Sequence, residues 1–235
     1  MKKIAAYSGT RNLYPDMVPA YKSLLLNSDV DKVYLLIEDD EFPFELPPEV
    51  ETMNMSDQTL FPWDGPNIKS PYTYMVLMRG AYSKIFPQYD RILSLDVDTI
   101  VDADISELWD LPIDEYYMSA TPQRPPWPAN GYVNVGVTLF NLKKLRDGTD
   151  DEVIHLLNTL YMRWVEQDAL NHVCRGKIYP MPARYNHNEF VNREPEPKIH
   201  HFAAIANWSG SRFVEKYRDI PLDEIKRVRA ERYGK

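Results

Sequence analysis

Two aspartates one residue apart, Asp96 and Asp98, close the apolar run at 91–95 in "RILSLDVDTI". Burying an unpaired carboxylate is costly, so the pair must reach water or face positive charge. On an extended chain residues i and i+2 point to the same side, which lets both carboxylates converge on one cation. Hard oxygen ligands suit Mg²⁺ or Mn²⁺, ions that keep coordination positions open for phosphate oxygens. The competing reading is a strand that ends in an acidic surface turn, and Asp102 and Asp104 continue that acidic pattern. Arg79 is the second candidate. Met75, Tyr82 and Phe86 lie at −4, +3 and +7 from it, so on a helix the guanidinium falls on an apolar stripe. A cation there needs an anion, either a ligand or an acidic side chain of the chain itself.

The elements that must position these groups alternate between strand and helix. The run at 4–7 is a first strand. Val18, Tyr21, Leu24 and Leu25 share a helical face that ends near Asn27, and "KVYLLIED" (32–39) is the continuous apolar strand of a sheet covered on both faces. "ETMNM" reads as another strand. "SPYTYMVLMRGAYSKIF" (70–86) predicts a helix with Ser70 as N-cap and Pro71 at its first position. The strand at 91–95 then delivers Asp96 and Asp98. Further on, "TPQRPPWPANG" (121–131) predicts a proline-rich surface loop and "YVNVGVTLFNL" a strand with Asn-Val-Gly inside it. "DDEVIHLLNTLY" predicts a helix capped by Asp150 or Asp151, and "QDALNHVCRG" a second one closed by Gly176. Short strands near 177–181 and 198–202 complete one α/β domain, with a nucleotide-binding half at 1–105 and a half at 106–235 that builds the rest of the cleft.

Bulk properties narrow the function classes. A chain of 235 residues with 44% hydrophobic content can bury a core without staples. A net charge of −8 argues against a general basic field for gripping nucleic acid. Five cations in "DEIKRVRAERYGK" are interleaved with acids and read as a solvated helix face. Cys174 is the only cysteine, so no intrachain disulfide can form, and a reducing, cytoplasmic setting is the simplest expectation. "MKKIAAYSGTRN" reads as a strand rather than a signal peptide, and no run approaches a membrane span. In that setting the Asn54-Met-Ser56 and Asn207-Trp-Ser209 sequons are chance matches.

Two enzyme classes place Asp-x-Asp after an apolar strand. In haloacid-dehalogenase-type phosphatases the first Asp is a nucleophile and the second a general acid, and "ILSLDVDTI" matches that motif. There it lies on the first strand, whereas about 90 residues of βα pattern precede it here. The acidic pair such phosphatases need late in the chain would have to be "TDD" at 149–151. In nucleotide-sugar glycosyltransferases the pair sits mid-domain, as here.

Four blocks in order turn that preference into a resemblance: "RGAYSKIFPQYDRILSLDVDTIV" (79–101), "YVNVGVTLFNLKKLR" (132–146), "EQDALN" (166–171) and "IHHFAAIANW" (199–208). Together they make the chain similar to the retaining glycosyltransferases of family 8. The resemblance implies the GT-A fold, a Rossmann-like mixed sheet flanked by helices in a single domain. It implies transfer of a hexose, glucose or galactose, from a UDP-sugar to an acceptor hydroxyl with Mn²⁺ or Mg²⁺. The acceptor, whether glycan, lipid-linked or protein, is not specified by it.

Carried over residue by residue, Asp96, Asp98 and His201 match the family's metal ligands, with His200 the rival position for the imidazole. Arg79 matches a basic donor contact. Asn134 and Gly136 match the Asn-x-Gly that approaches the donor sugar, although a β-bulge would also use a glycine there. Glu166 and Gln167 match the Asp-Gln poised under the sugar ring; acids at a helix start also serve the helix dipole. Tyr7, Thr10 and Asn12 lie in the block that cradles uridine, which here lacks the usual Asp before the Asn. A second departure concerns the His-x-x-Gly-x-x-Lys-Pro-Trp segment: "HFAAIANW" has Ala204 for the glycine and no lysine to clamp the diphosphate. Arg212 and Lys216 are candidate substitutes. The lost lysine also leaves open a catalytically weakened relative that only binds sugar nucleotide or glycan.

Overall fold

The computed structural model describes residues 2–125 and 131–235. Its first half is a parallel βαβ arrangement. Strand β1 (Ile4–Ser8) leads through a short turn into helix α1 (Tyr14–Asn27), then β2 (Lys32–Ile37) and β3 (Val50–Asn54). Both β2 and β4 (Arg91–Leu95) pair with β1 in parallel. β1 and β2 are buried along nearly their whole length, as their unbroken apolar runs require.

The segment predicted as one helix from Ser70 is different. Residues Tyr74–Ala81 form a 3-10 helix that passes into the single-turn helix α2 (Tyr82–Ile85). Ser70 spends its hydroxyl on the Tyr72 carbonyl, a local turn that competes with capping. Met75, Leu77, Met78, Arg79, Gly80 and Ala81 are all buried, so the segment is packed nearly all round and needs no solvent face.

After β4 the chain makes β5 (Thr99–Val101) and β6 (Met118–Pro122), then the nine-residue central strand β7 (Val133–Asn141), buried throughout. Thr121 and Pro122 thus belong to β6 and not to the predicted loop, whose residues 126–130 lie outside the described residues. The single turn α3 (Leu142–Leu145) precedes α4 (Thr149–Thr159). Gly148, at φ 108, stands at the cap of α4, and Asp150 and Asp151 sit in its first turn instead of capping it. Helix α5 (Glu166–Val173), β8 (Ile178–Pro180), β9 (Ile199–His201), α6 (Arg212–Arg218) and α7 (Leu222–Tyr233) complete the chain.

The result is one mixed seven-stranded sheet, order β3-β2-β1-β4-β7-β6-β8, with β4–β7 and β7–β6 antiparallel. A two-stranded ladder, β5–β9, stands over its end and brings residues 199–201 against the segment that follows β4. Helix α7 departs from the predicted solvated face at one residue. Arg229 is fully buried, donating to the carbonyls of Leu25 and Val30 at 3.0 and 2.7 Å and to Glu49 at 3.0 Å. These carbonyls close α1 and the turn after it, where a guanidinium satisfies acceptors that the helix leaves open. No helix among the described residues is long and apolar enough to cross a membrane.

Candidate functional site

Asp96 and Asp98 leave the carboxyl end of β4, and β9 pairs with β5 so that His201 lies opposite Thr99. Ligand atoms of Asp96, Asp98 and His201 all lie within 4.8 Å of one another. His201 Nε2 is 3.3 Å from Asp98 Oδ1 and 3.6 Å from Asp96 Oδ2. Adjacent ligands on an octahedron with bonds of roughly 2.0–2.1 Å stand about 3 Å apart, so two carboxylates and an imidazole fit a Mn²⁺ or Mg²⁺ in type and spacing. His200 stands apart from this cluster. Its neighbour in the strand faces the opposite way, and its own ring packs on Phe213 with Nε2 4.0 Å from Asp102.

The cluster opens on a cavity of about 320 Å³. Arg79, Asn134, Gly136, Glu166 and Gln167 line it together with the three candidate ligands. Eight positions predicted from four separate blocks are therefore brought to one place. Tyr72, Val76, Trp164 and Phe190 add apolar wall that the sequence did not single out.

Arg79 is 4% exposed and forms ion pairs with both Asp96 and Glu166, the latter at 3.1 Å, while also donating to the Val135 carbonyl at 3.0 Å. Its anion is thus internal, and through Asp96 it touches the cluster. Burial disfavours the guanidinium's charge, yet the two acids outweigh it and hold it firmly protonated. Asp96 is pushed up by burial but lowered more by Arg79 and then His201, and so stays below the ordinary carboxylate range. Glu166 shares Arg79 but is fully desolvated. Burial wins there, and its pKa rises to about 7. The two acids differ because Asp96 also has the imidazole, whereas Glu166 has the neighbouring charge of Asp96 against it. For His201, burial lowers the pKa, but Asp98 followed by Asp96 raises it above the ordinary value.

Glu166 and Gln167 enter the cavity from a tight turn. Gln167 N donates to the Trp164 carbonyl at 3.0 Å, and buried Val165 adopts φ 47, a left-handed value that β-branched residues avoid. Gln167 Oε1 accepts from Val135 N at 3.1 Å and its Nε2 donates to Tyr132 Oη at 3.2 Å. Asp168 is structural: it accepts from Trp164 N at 2.8 Å and from Tyr132 Oη at 2.5 Å.

Gly136 sits in a β-bulge, since Ala120 pairs with Thr138 but Thr121 pairs with Asn134. A Cβ there would stand 2.2 Å from His201 Cε1 and 2.7 Å from Asp96 Oδ2. The glycine makes room for the candidate ligands themselves, a closer constraint than the approach of a sugar.

The remaining predictions fare differently. Tyr7 is fully buried beneath α1 with its hydroxyl on the Ala20 carbonyl, so its ring cannot meet a base in the cleft. Strand β1 is covered on both faces, and residue type alone did not tell which face Tyr7 takes. Thr10 and Asn12 bond each other at 2.7 Å on the loop after β1 and are not among the cavity-lining residues. Neither candidate clamp reaches the cavity wall: Lys216 pairs with Asp102 at 3.1 Å, and Arg212 is exposed on α6. Among the described residues Arg79 is the only Arg or Lys lining the cavity. The "TDD" acids do not complete a phosphatase site either, since Asp150 is buried against Ser83 and Lys84 and Asp151 also pairs with Lys84. Asn186, which holds His201, and Asn188, which braces Asn186, were not anticipated; "RYNHN" carries no spacing signal beyond two polar residues two apart.

A family model described as glycosyl transferase family 8 matches residues 48–210. A putative glycosyltransferase of Haemophilus influenzae is 27% identical over 119 residues, covering 44% of this chain and 36% of that protein. Glycosyltransferase GlyD of Streptococcus pneumoniae serotype 4 is 26% identical over 183 residues, covering 73% of this chain and 21% of that protein. The chain therefore spans well under half the length of these relatives. Among solved structures, glycosyltransferase GlyE of Streptococcus pneumoniae TIGR4 superposes with a TM-score of 0.73 at 22% identity, over 98% of this chain and 64% of that one. The galactosyltransferase LgtC, solved with donor and acceptor sugar analogs, superposes with a TM-score of 0.68 at 17% identity, over 96% and 99%. At these identities the likeness shows the fold, GT-A.

Proposed function

The chain belongs to glycosyl transferase family 8, and we propose that it moves a hexose, glucose or galactose, from a UDP-sugar to an acceptor hydroxyl with retention at the anomeric carbon and with the help of a divalent cation. The observation that carries this reading is the convergence of Asp96, Asp98 and His201 on a cavity whose other polar walls are Arg79, Asn134, Glu166 and Gln167. In this reading residues 1–105 hold the nucleotide and 106–235 supply the sugar and acceptor side, and the acceptor is a glycan, a lipid-linked group or a protein.

Glycosyl transfer builds positive charge on the sugar ring and negative charge on the departing diphosphate. A bound Mn²⁺ or Mg²⁺ supplies charge neutralisation at that diphosphate. The chain's own residues hold the geometry. Arg79 keeps Asp96 ionised and oriented, and its guanidinium adds positive potential at the cavity floor. Asn134 has its oxygen committed to Gly136 N at 3.1 Å, and its amide nitrogen serves as a donor to a sugar oxygen. Gln167, fixed at both ends of its amide, and Glu166 line the ring's other face. With no second Arg or Lys in the wall among the described residues to replace the family's lysine, donor binding leans on the divalent ion.

UDP should therefore raise the melting temperature only when Mn²⁺ or a similar ion is present, and a panel of UDP-hexoses should show Mn²⁺-dependent turnover. Asp98→Asn should abolish both while leaving the fold's own melting temperature unchanged or higher, because it relieves carboxylate repulsion. Stabilisation without any turnover would instead favour a binding-only relative. If Asp98→Asn unfolds the protein, the pair is structural and the reading fails.

A further inference from the structure

A histidine ligand is useful only if its lone pair, and not its proton, faces the ion, and the proton's place depends on what the other ring nitrogen meets. The polarity of such a network is fixed wherever it meets a group that can only donate. Backbone N–H groups can only donate, and two of them provide independent anchors here.

The first is Gly136 N, which donates to the Asn134 side chain at 3.1 Å and so identifies the contacted atom as oxygen. The atom of Asn186 that lies 2.8 Å from that oxygen must then be its NH₂. The Asn186 oxygen is thereby turned the other way, 2.7 Å from His201 Nδ1. The second anchor is Phe190 N, which donates to Asn188 Oδ1 at 2.8 Å and makes the other end of Asn188 its NH₂. That group lies 2.9 Å from the same Asn186 atom, which must again be oxygen. Two unconnected backbone donors give Asn186 one orientation.

At 2.7 Å an amide oxygen and a ring nitrogen require a proton between them, and only the nitrogen can supply it. Asn188 Nδ2 also stands 3.2 Å from Nδ1, but its two hydrogens are committed to the Asn186 carbonyl at 3.1 Å and Asn186 Oδ1 at 2.9 Å. We propose that Asn186 is a positioning residue that holds neutral His201 as its Nδ1–H tautomer and thereby turns the Nε2 lone pair toward the space it shares with the Asp96 and Asp98 carboxylates, where a cation would sit. Asn186 is fully buried and His201 4% exposed, so water does not compete for either group. Asn134 joins the relay to the donor side: its oxygen is consumed by the chain, and the nitrogen of this cavity-lining residue has no hydrogen-bond partner among the described residues. The inference about the tautomer stands on hydrogen-bond polarity, while its use for an ion rests on the proposed function.

The test uses the parent chain with ¹⁵N-labelled histidine in alkaline buffer, where the ring is neutral, with the His201 signals identified by their loss in His201→Ala. The expected spectrum shows a protonated Nδ1 and a bare Nε2. A protonated Nε2 in the parent chain overturns the proposal. Mn²⁺ titration, with and without UDP, supplies the second readout. Asn186→Ala should lose the single tautomer and weaken Mn²⁺ binding by roughly 10–100-fold. Asn186→Asp, which keeps an acceptor for the Nδ1 proton, should restore the tautomer. Asn186→Ala with the parent's tautomer and the parent's Mn²⁺ affinity refutes the positioning role. A parent that shows the Nδ1–H tautomer yet binds no Mn²⁺ leaves the relay standing and refutes the cation reading instead.

Discussion

Replacing Gly136 by alanine places a methyl group against the two side chains on which the proposed chemistry depends. The added Cβ would lie 2.2 Å from His201 Cε1, 2.8 Å from His201 Nδ1 and 2.7 Å from Asp96 Oδ2. An ordinary carbon–carbon contact is about 3.5 Å, so something must yield by more than about 1 Å. The φ of Gly136 is not in the left-handed region, so alanine meets no backbone strain and the effect is steric alone. Neither neighbour has an easy retreat. His201 is pinned by Asn186 at 2.7 Å and by its pairing with Thr99, and Asp96 is gripped by Arg79 and by its own N–H on the Gly136 carbonyl at 2.7 Å. Forcing a packed site open in this way costs about 1–3 kcal/mol of stability. Displacing a reacting constellation by 1 Å costs on the order of 100-fold in rate, and Mn²⁺ affinity should fall at least about 10-fold. The assay is Mn²⁺ titration followed by the free-ion paramagnetic signal, beside thermal unfolding and turnover of UDP-hexose. Gly80→Ala is the control. Its Cβ would meet only Leu157 Cδ1 at 2.9 Å and Val153 Cγ1 at 3.2 Å, far ends of side chains that can move, so it should cost stability without touching Mn²⁺ affinity. Parental Mn²⁺ affinity in Gly136→Ala, or an equal loss in Gly80→Ala, would refute the argument that this glycine exists to admit the ligand cluster.

Two further outcomes follow from the buried charges. Arg79→Met should destabilise the fold by about 3–5 kcal/mol, because it strands Glu166 and Asp96 without their common cation. The lower end is expected, since the Asp96 side chain remains 32% exposed; an unchanged urea midpoint would contradict the structural role assigned to the pair. Glu166 has a folded pKa of about 7 against an ordinary 4.5, so folding favours its protonated form and stability should fall as pH rises through that interval. Glu166→Gln should remove a fall of about 3 kcal/mol across that interval, and parallel stability–pH curves for parent and variant would sink the assignment.

The legible part of this molecule is the part governed by period and by strand ends. Strands β1, β2 and β4 announce themselves as apolar runs because both faces of the sheet are covered, and Asp96 and Asp98 stand out because carboxylates interrupt such a run where α/β sheets bind ligands. Arg79 was legible as a buried cation needing an anion, but its partners were not, since Glu166 lies 87 residues away and reaches it through a strained turn. The segment at 74–81 defeated the start signals of Ser70 and Pro71 because Ser70 turns its hydroxyl onto the Tyr72 carbonyl instead of capping, and the chain that follows closes in 3-10 turns.

The support behind His201 was invisible for a different reason. Asn134, Asn186 and Asn188 come from the bulge of β7 and from the loop after Tyr185, and they meet β9 only because His187 bridges His200 beside it. A hydrogen-bond relay has no spacing rule: any asparagine in either segment would read as a turn residue. Its logic appears only when a backbone N–H of known polarity is followed inward, from Gly136 to Asn134 to Asn186 to the ring. That path also explains why Asn134 and Gly136 stand two residues apart. The same bulge that removes a side chain at Gly136, where His201 and Asp96 need the space, turns the Gly136 N–H onto Asn134 and starts the relay that orients His201.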